Sequence, residues 1–333
     1  MKSFRNYSLL HHNTFGIDAK CSRFLEYENM EEAQQVAQIL RESDIPYIII
    51  GGGSNLLLTK DFEGIVVHSA MKGCDFQGTT MLCASGEVWD NMVARSLVHG
   101  LYGLENLSLI PGDVGASAVQ NIGAYGVEVS QFIYTIEAVE IATGKVCTIC
   151  ADECNYAYRQ SRFKNDWKNK FLITGVCYQL SNEFRPHLDY GNIRAELQRR
   201  AIVEPTPQQL RQVIIDIRLD KLPDPDVEGN AGSFFMNPVI PREQYEALAV
   251  QYPDMPHYYI DSTHEKIPAG WMIDQCGWKG HSLGRAGVHD KQALVLVNRG
   301  GATGSEIVAL CQAIQRDVKT KFDIDIHPEV NMI

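Results

Sequence analysis

Gly51-Gly52-Gly53-Ser54-Asn55 is the stretch best suited to hold a charged ligand. Glycine permits positive φ and lets a ligand approach bare backbone. Successive N–H groups in such a turn form a concave nest for an anion, typically a phosphate. Ser54 and Asn55 add a hydroxyl and an amide. A second segment, residues 109–128, holds four glycines, several small residues and Tyr125. It suggests backbone lying close to a flat ligand, with Gly112, Gly115, Gln120, Asn121, Gly123 and Tyr125 available for contact. In Tyr156-Ala157-Tyr158-Arg159-Gln160-Ser161-Arg162-Phe163, aromatics interleave with two arginines, and a fixed arginine fork matches a carboxylate. Ser233, between Gly232 and Phe234-Phe235, is a candidate proton donor. Glu329 follows a proline near the end of the chain. It is either a solvated tip or a site group.

The elements around these residues set the fold class. Tyr47–Ile50 is rich in β-branched residues and predicts a strand. A dinucleotide fingerprint would need G-x-G-x-x-G opening a helix, but Leu56 takes the third glycine position and a strand at 65–68 follows. This is a strand–glycine turn–strand loop, of the kind flavoenzymes use to clamp the FAD pyrophosphate between two α+β subdomains. Upstream, a strand at 22–27 precedes a helix capped by Asn29, with Ala33, Val36, Ala37 and Leu40 on its buried face. A second unit has a strand at 81–84, a helix at 87–99 and strands at 132–141, 146–150 and 171–180. Thr206-Pro207 starts a helix lined by Leu210, Val213, Ile214 and Ile217. The break at Lys221-Leu222-Pro223 marks a boundary. Beyond it come helices at 242–251, 269–276 and 305–321, a strand at 293–297 and a closing strand at 322–326.

The chain has 333 residues, 45% apolar, with a net charge of −11, which argues against a nucleic-acid-binding surface. Neither an export signal nor an apolar run of about 18 residues is evident, so no membrane association is expected. Nine cysteines are an odd count, consistent with reduced thiols. Cys147, Cys150 and Cys154 lack a convincing fourth ligand, and no metal is expected. Another flavin oxidase on the same scaffold, or a non-catalytic nucleotide-binding module, would also use such loops. The second leaves Ser233 and Glu329 without a role.

The five segments coincide, in order, with motifs of one family. The chain resembles the UDP-N-acetylenolpyruvoylglucosamine reductases along essentially its whole length. The resemblance rests on Gly51 to Leu57, Gln120 to Gly126, Tyr158-Arg159 through Phe163, Gly229 to Phe235 and Pro328-Glu329-Val330. It implies an α+β fold: a two-lobed FAD-binding domain of the vanillyl-alcohol-oxidase type plus a C-terminal α+β substrate-binding domain. The lobes would span 1–68, joined by 328–333, and 69–220, with the substrate domain at 221–327. It also implies a cytoplasmic monomer that uses NADPH to reduce UDP-N-acetylglucosamine enolpyruvate. Family roles fall on Ser233 as proton donor, with Arg159 and Glu329 at the enolpyruvyl group. Tyr158, Tyr190, Lys221, Asn237, Tyr258, Lys266 and Gln292 would hold the UDP-sugar. The Tyr190 segment and the long 240–290 stretch fit the larger of the family's two subtypes. Three positions depart from the pattern. Asp113 and Ala118 stand where a small uncharged residue or a proline is expected, and Met236 where a basic one is common. A carboxylate at 113 is unfavourable near a pyrophosphate unless it points away or caps a helix.

Overall fold

Helix Met30–Arg41 starts at its expected cap, where the Asn29 side chain accepts the Glu32 N–H at 3.0 Å. Val36, Ala37 and Leu40 face inward with it, as the i, i+3, i+4 spacing requires. The computed structural model describes residues 1–333. It divides into two units, residues 1–7, 21–52 and 63–220 in one, and 8–20, 53–62 and 221–333 in the other.

The first unit carries two sheets. One has four strands in the order Lys2–Ser8, Lys20–Tyr27, Phe62–Ser69, Tyr47–Ile50. Its last two strands run parallel, pairing Tyr47 with Ile65 and Ile50 with His68. The other is an antiparallel sheet of five strands, ordered Val146–Cys150, Ile133–Glu140, Phe171–Gln179, Thr80–Ala84, Cys74–Gln77. Trp89, Met92 and Val93 of helix Trp89–Val98 pack into its core with Ile136, Val176 and Tyr178. Helix Pro207–Lys221 buries Leu210, Val213, Ile214 and Ile217 against Ile193 and Leu197.

The second unit has a four-stranded sheet ordered Gly229–Ser233, Val295–Asn298, Ala286–Val288, Ser282–Leu283, with helix Gly304–Phe322. A three-stranded sheet pairs Val239–Pro241 and Tyr258–Tyr259 with His264–Lys266. Asn331–Met332 adds in parallel to Leu56–Leu57, just past the triple glycine.

Three features differ from expectation. Residues 322–326 are not a strand. The 307, 310, 314, 318 spacing extends to Phe322, so the helix continues until Asp323 adopts a left-handed φ of 54° and stops it. The 109–128 segment contains a short helix, Val114–Gln120, because Gly115, Ala116 and Ala118 pack closely without bulk. Strands Lys2–Ser8 and Cys74–Gln77 were not expected: the first carries no regular alternation of apolar residues, and the alternation of the second spans only four residues. No helix is long and apolar enough to cross a membrane. Cys147, Cys150 and Cys154 do not gather with other side chains as a metal-ligand set.

Candidate active site

The three glycines of the loop are required for two different reasons, close approach and a left-handed backbone. A Cβ on Gly51 would lie 2.9 Å from the Ala116 Cβ, and one on Gly52 would lie 3.3 Å from the Gly112 Cα. These two glycines belong to the first unit and let two loop backbones touch. Gly53, Ser54 and Asn55 belong to the second unit. Gly53 has φ +68°, and a Cβ there would sit 2.0 Å from the His12 carbonyl oxygen. Asn55 is fixed by the C-terminal segment: its carbonyl accepts the Asn331 N–H at 3.1 Å, and its amide reaches the Glu329 carbonyl at 3.4 Å.

Arg159 is built onto the 109–128 segment. Its Nη2 donates to the Gly123 carbonyl at 2.7 Å and its Nη1 to the Asn121 carbonyl at 3.4 Å. Its backbone is left-handed, φ 55°, a conformation that costs a non-glycine residue roughly 1–2 kcal/mol. A Cβ on Gly123 would come 3.0 Å from Arg159 Nη1, so this glycine makes room for the guanidinium. Asn121 is fully buried. Its amide bonds the Glu128 carboxylate and the Ala157 carbonyl at 2.9 Å each, and its Oδ1 accepts the Ser130 N–H. What Asn121 supplies is therefore the position of the Tyr158-Arg159 corner. Gly115 is glycine because its Cα abuts Ser85, where a Cβ would be 2.9 Å from the serine Cβ. Gly112 has φ +110°. Tyr125 is also left-handed, φ 49°, and meets the Tyr190 ring edge-on at 6.5 Å.

Gln120 and Arg218 carry the unsatisfied polarity of this unit's site. Gln120 Oε1 and Arg218 Nε are sealed from solvent with no protein partner, and such orphans are rare in native proteins. Burial pushes the Arg218 guanidinium down, with the Tyr125 hydroxyl and Asp90 offsetting part of that. Sequence reasoning passed over Arg218. The available signal was two arginines seven residues apart on one helix face. Arg211, one of them, makes a two-pronged ion pair with Asp90 at 2.7 and 2.8 Å. Asp90 also accepts the Leu109 N–H, tying helix Pro207–Lys221 to the start of the glycine-rich segment.

The three positions that depart from the family pattern take different surroundings. Asp113 holds the N-cap position of helix Val114–Gln120, yet its side chain makes no capping bond. It lies instead alongside Gly51 and Gly52 and faces His68 at 3.6 Å. Ala118 is fully buried in the core. Met236 gives its backbone N–H to the His327 carbonyl at 2.9 Å.

In the second unit, Ser233 and Glu329 share one backbone frame. The pairing of Asn230 with Val297 and of Ser233 with Val295 leaves one extra residue on the Ser233 strand, a bulge containing Gly232 at φ +67°. Bulges re-aim side chains, and Ser233 emerges exposed while Phe234 and Phe235 are buried. The Phe234 carbonyl accepts the Glu329 N–H at 2.8 Å, and Phe235 bridges Pro328. Glu329 is half-buried. Arg159 belongs to the first unit.

The expected sugar-nucleotide residues also divide. Tyr158 and Tyr190 lie in the first unit, each nearly half exposed, with the Arg159 guanidinium 5.3 Å from the Tyr158 ring centre. Lys221, Asn237, Tyr258, Lys266 and Gln292 lie in the second. Tyr258 and Lys266 face each other across adjacent strands, Nζ 5.6 Å from the ring centre. The Asn237 side chain accepts the Ala269 N–H at 2.9 Å, starting helix Ala269–Gln275. Gln292 Oε1 accepts the Leu294 N–H at 3.3 Å. Lys221 is the last residue of its helix.

Comparison with known proteins matches both parts of the chain. Residues 22–149 match the FAD binding domain family, and residues 224–333 match the family described as UDP-N-acetylenolpyruvoylglucosamine reductase, C-terminal domain. A UDP-N-acetylenolpyruvoylglucosamine reductase of Bacteroides fragilis strain YCH46 is 53% identical over 99% of both chains. One from Burkholderia multivorans is 43% identical over 97% of this chain and 95% of its own. The crystal structure of UDP-N-acetylenolpyruvylglucosamine reductase from Thermus caldophilus superimposes over 99% of this chain and 98% of its own. Its TM-score is 0.69 at 22% identity, which supports the fold. The class so defined is an α+β flavoprotein oxidoreductase with an FAD-binding domain and a C-terminal domain of its own. The chain belongs to the UDP-N-acetylenolpyruvoylglucosamine reductase family.

Proposed function

We propose that this protein is a cytoplasmic, monomeric flavoenzyme that uses NADPH to reduce UDP-N-acetylglucosamine enolpyruvate to UDP-N-acetylmuramate, a step of peptidoglycan synthesis. The observation that carries the reading furthest is Arg159, a cation fixed by the Asn121 and Gly123 carbonyls at the glycine-rich segment. Nine free cysteines suit a reducing compartment.

The residues present fit FAD. Gly51 and Gly52 let the loop backbone lie close against Gly112, Asp113 and Ala116. Gln120 Oε1 and Arg218 Nε are buried and without protein partners, as a planar ligand with donors and acceptors requires. Gly51 to Asn55 would take the pyrophosphate, and Gly112, Gly115, Gln120, Asn121, Gly123 and Tyr125 would border the remainder. No cysteine or histidine stands in either glycine loop, so binding is non-covalent. Bound FAD supplies two-electron chemistry, taking hydride from NADPH and giving it to the enolpyruvyl carbon.

Arg159 orients the enolpyruvyl carboxylate and stabilises the negative charge that develops on it as the double bond is reduced. A preorganised cation in a water-poor site is worth several kcal/mol of barrier, roughly 3–4 for one donor. Ser233 donates a proton to the neighbouring carbon, because the enolate formed is basic enough to take one from a hydroxyl. Glu329 has two roles open to it, orienting the substrate or donating a proton if its own is retained. Tyr158, Tyr190, Lys221, Asn237, Tyr258, Lys266 and Gln292 hold the UDP-sugar, with Lys221 and Tyr190 at the diphosphate.

The test uses purified holoprotein under anaerobic conditions. NADPH should bleach the flavin, and UDP-N-acetylglucosamine enolpyruvate should restore its colour with formation of a product heavier by two hydrogens. A colourless protein that cannot be reconstituted with FAD, or one that NADPH leaves oxidised, contradicts the proposal.

A further inference from the structure

Asp113 is a carboxylate placed against the loop that would carry the FAD pyrophosphate. A Cβ on Gly51 would lie 3.4 Å from its Oδ2, and one on Gly52 would lie 3.5 Å from its Oδ1. Neither ordinary escape from repulsion operates, since the side chain does not cap the helix behind it and does not turn away from the loop. The compensation comes from the next strand. His68 Nε2 is 3.6 Å from Asp113 Oδ2, and its Nδ1 is 3.1 Å from Glu26 Oε2. Lys2 holds the other Glu26 oxygen at 2.8 Å and Glu28 at 2.6 Å. The order of charge is Lys2, Glu26, His68, Asp113, alternating in sign toward the glycine loop. Phe24 stacks on the His68 ring at 6.3 Å, and Ile50 is its partner on the adjacent strand.

We propose that His68 is a positioning residue for the cofactor loop, which as an imidazolium cancels the Asp113 carboxylate and thereby sets the affinity for the FAD pyrophosphate. The proposal rests on the placement of that pyrophosphate at Gly51–Asn55 in the proposed function. Lys2 already serves Glu26, so loss of the His68 proton leaves Asp113 as the carboxylate without a compensating cation. A carboxylate and a pyrophosphate meeting across two bare glycines repel, and the protein interior screens them less than water does.

The direction of the pH effect follows. Burial alone would push the His68 imidazolium down, but the carboxylates of Asp113 and Glu26 outweigh it, and its pKa lies above the ordinary histidine value. A group raised in this way contributes fully below its unfolded value, about 6.5, and the contribution is lost as pH rises through the raised value. The pyrophosphate keeps both charges across this range, so any pH dependence belongs to the protein.

The test measures the Kd of FAD for the stripped protein by quenching of flavin fluorescence, from about pH 6 to 9, in wild type, His68→Asn, Asp113→Asn and the double variant. The wild-type Kd should be flat at the acid end and then rise by roughly tenfold overall, within the 5–150-fold range of site-to-site coupling. His68→Asn should bind about tenfold more weakly near pH 6.5 with a flat profile. Asp113→Asn should bind at least as tightly as wild type and also be flat, and the double variant should match it. That rescue separates charge cancellation from a structural role, and Asp113→Asn alone still tests the proposal if His68→Asn does not fold. A wild-type profile retained in Asp113→Asn, or wild-type affinity and profile in His68→Asn, overturns the assignment. Folded wild type that binds no FAD at any pH overturns the flavoenzyme reading itself, a distinguishable result.

Discussion

The backbone N–H of Glu329 donates to the carbonyl of Phe234 at 2.8 Å, one residue beyond Ser233. The clamp is made by main chain, so the Glu329 side chain is not needed to maintain it. Glu329→Gln should therefore keep Tm within about 2 °C of wild type, as surface-type substitutions do. Turnover of the enolpyruvyl substrate should fall while flavin reduction by NADPH stays normal. Unchanged turnover would remove the carboxylate from the mechanism.

Gly53 tests the loop directly. An alanine Cβ would meet the His12 carbonyl oxygen at 2.0 Å on a backbone with φ +68°. Both faults act together, so Gly53→Ala should cost at least about 3 kcal/mol, or roughly 6–12 °C in Tm, with loss of bound FAD. Thermal melts and the visible spectrum report the two effects. A stable yellow variant would mean that the loop has an alternative path.

Arg159→Lys keeps the charge and loses the planar fork that bonds the Asn121 and Gly123 carbonyls. Reduction of the flavin by NADPH should be near normal, with the reoxidation by substrate slowed by about 10²–10³-fold. Equal slowing of both phases would point to a misplaced cofactor instead.

The Asp90–Arg211 pair supplies an acid-side test. Burial alone would raise the Asp90 carboxyl, but the hydrogen bond from Arg211 and the Leu109 N–H outweigh it and hold it below the usual range. Stabilisation from a depressed carboxyl is present above the unfolded value, about 3.9, and is lost as pH falls through the lower folded value. Asp90→Asn should cost roughly 1.5–3 kcal/mol at neutral pH, and the gap to wild type should narrow as pH falls below the unfolded carboxyl value, about 3.9. A gap independent of pH would assign the loss to packing.

The sequence made the site's backbone legible far better than its electrostatics. Asn29, Thr206-Pro207 and the apolar spacing of the long helices locate themselves through local rules. The glycine clusters signal close backbone approach, although Gly115 and Gly123 are glycine because of Ser85 and Arg159 rather than a ligand. Phe322 was misplaced because its helical spacing continues past the residues counted. Arg218 could be found only through its spacing from Arg211 on one helix face, and His68 was not legible, because it acts through residues far away in the chain. His68 faces Glu26 and Asp113, 42 and 45 positions distant, and Glu26 reaches it because the strands Lys20–Tyr27 and Phe62–Ser69 are neighbours in one sheet. Asp113 was visible as an anomaly whose solution lay on that other strand.

Ser233 separates the two halves of the reaction and tests the central claim most directly. The bulge at Gly232 leaves its hydroxyl exposed at the end of its strand, one residue from the Glu329 clamp. A group that only donates a proton to the reduced substrate is not needed for hydride transfer from NADPH. In anaerobic stopped-flow experiments on Ser233→Ala, NADPH should bleach the flavin at close to the normal rate. Reoxidation by UDP-N-acetylglucosamine enolpyruvate should slow by at least ~10²–10⁴-fold, the range for a lost general acid, and Ser233→Cys should recover part of it. A fast oxidative phase in Ser233→Ala would contradict the account.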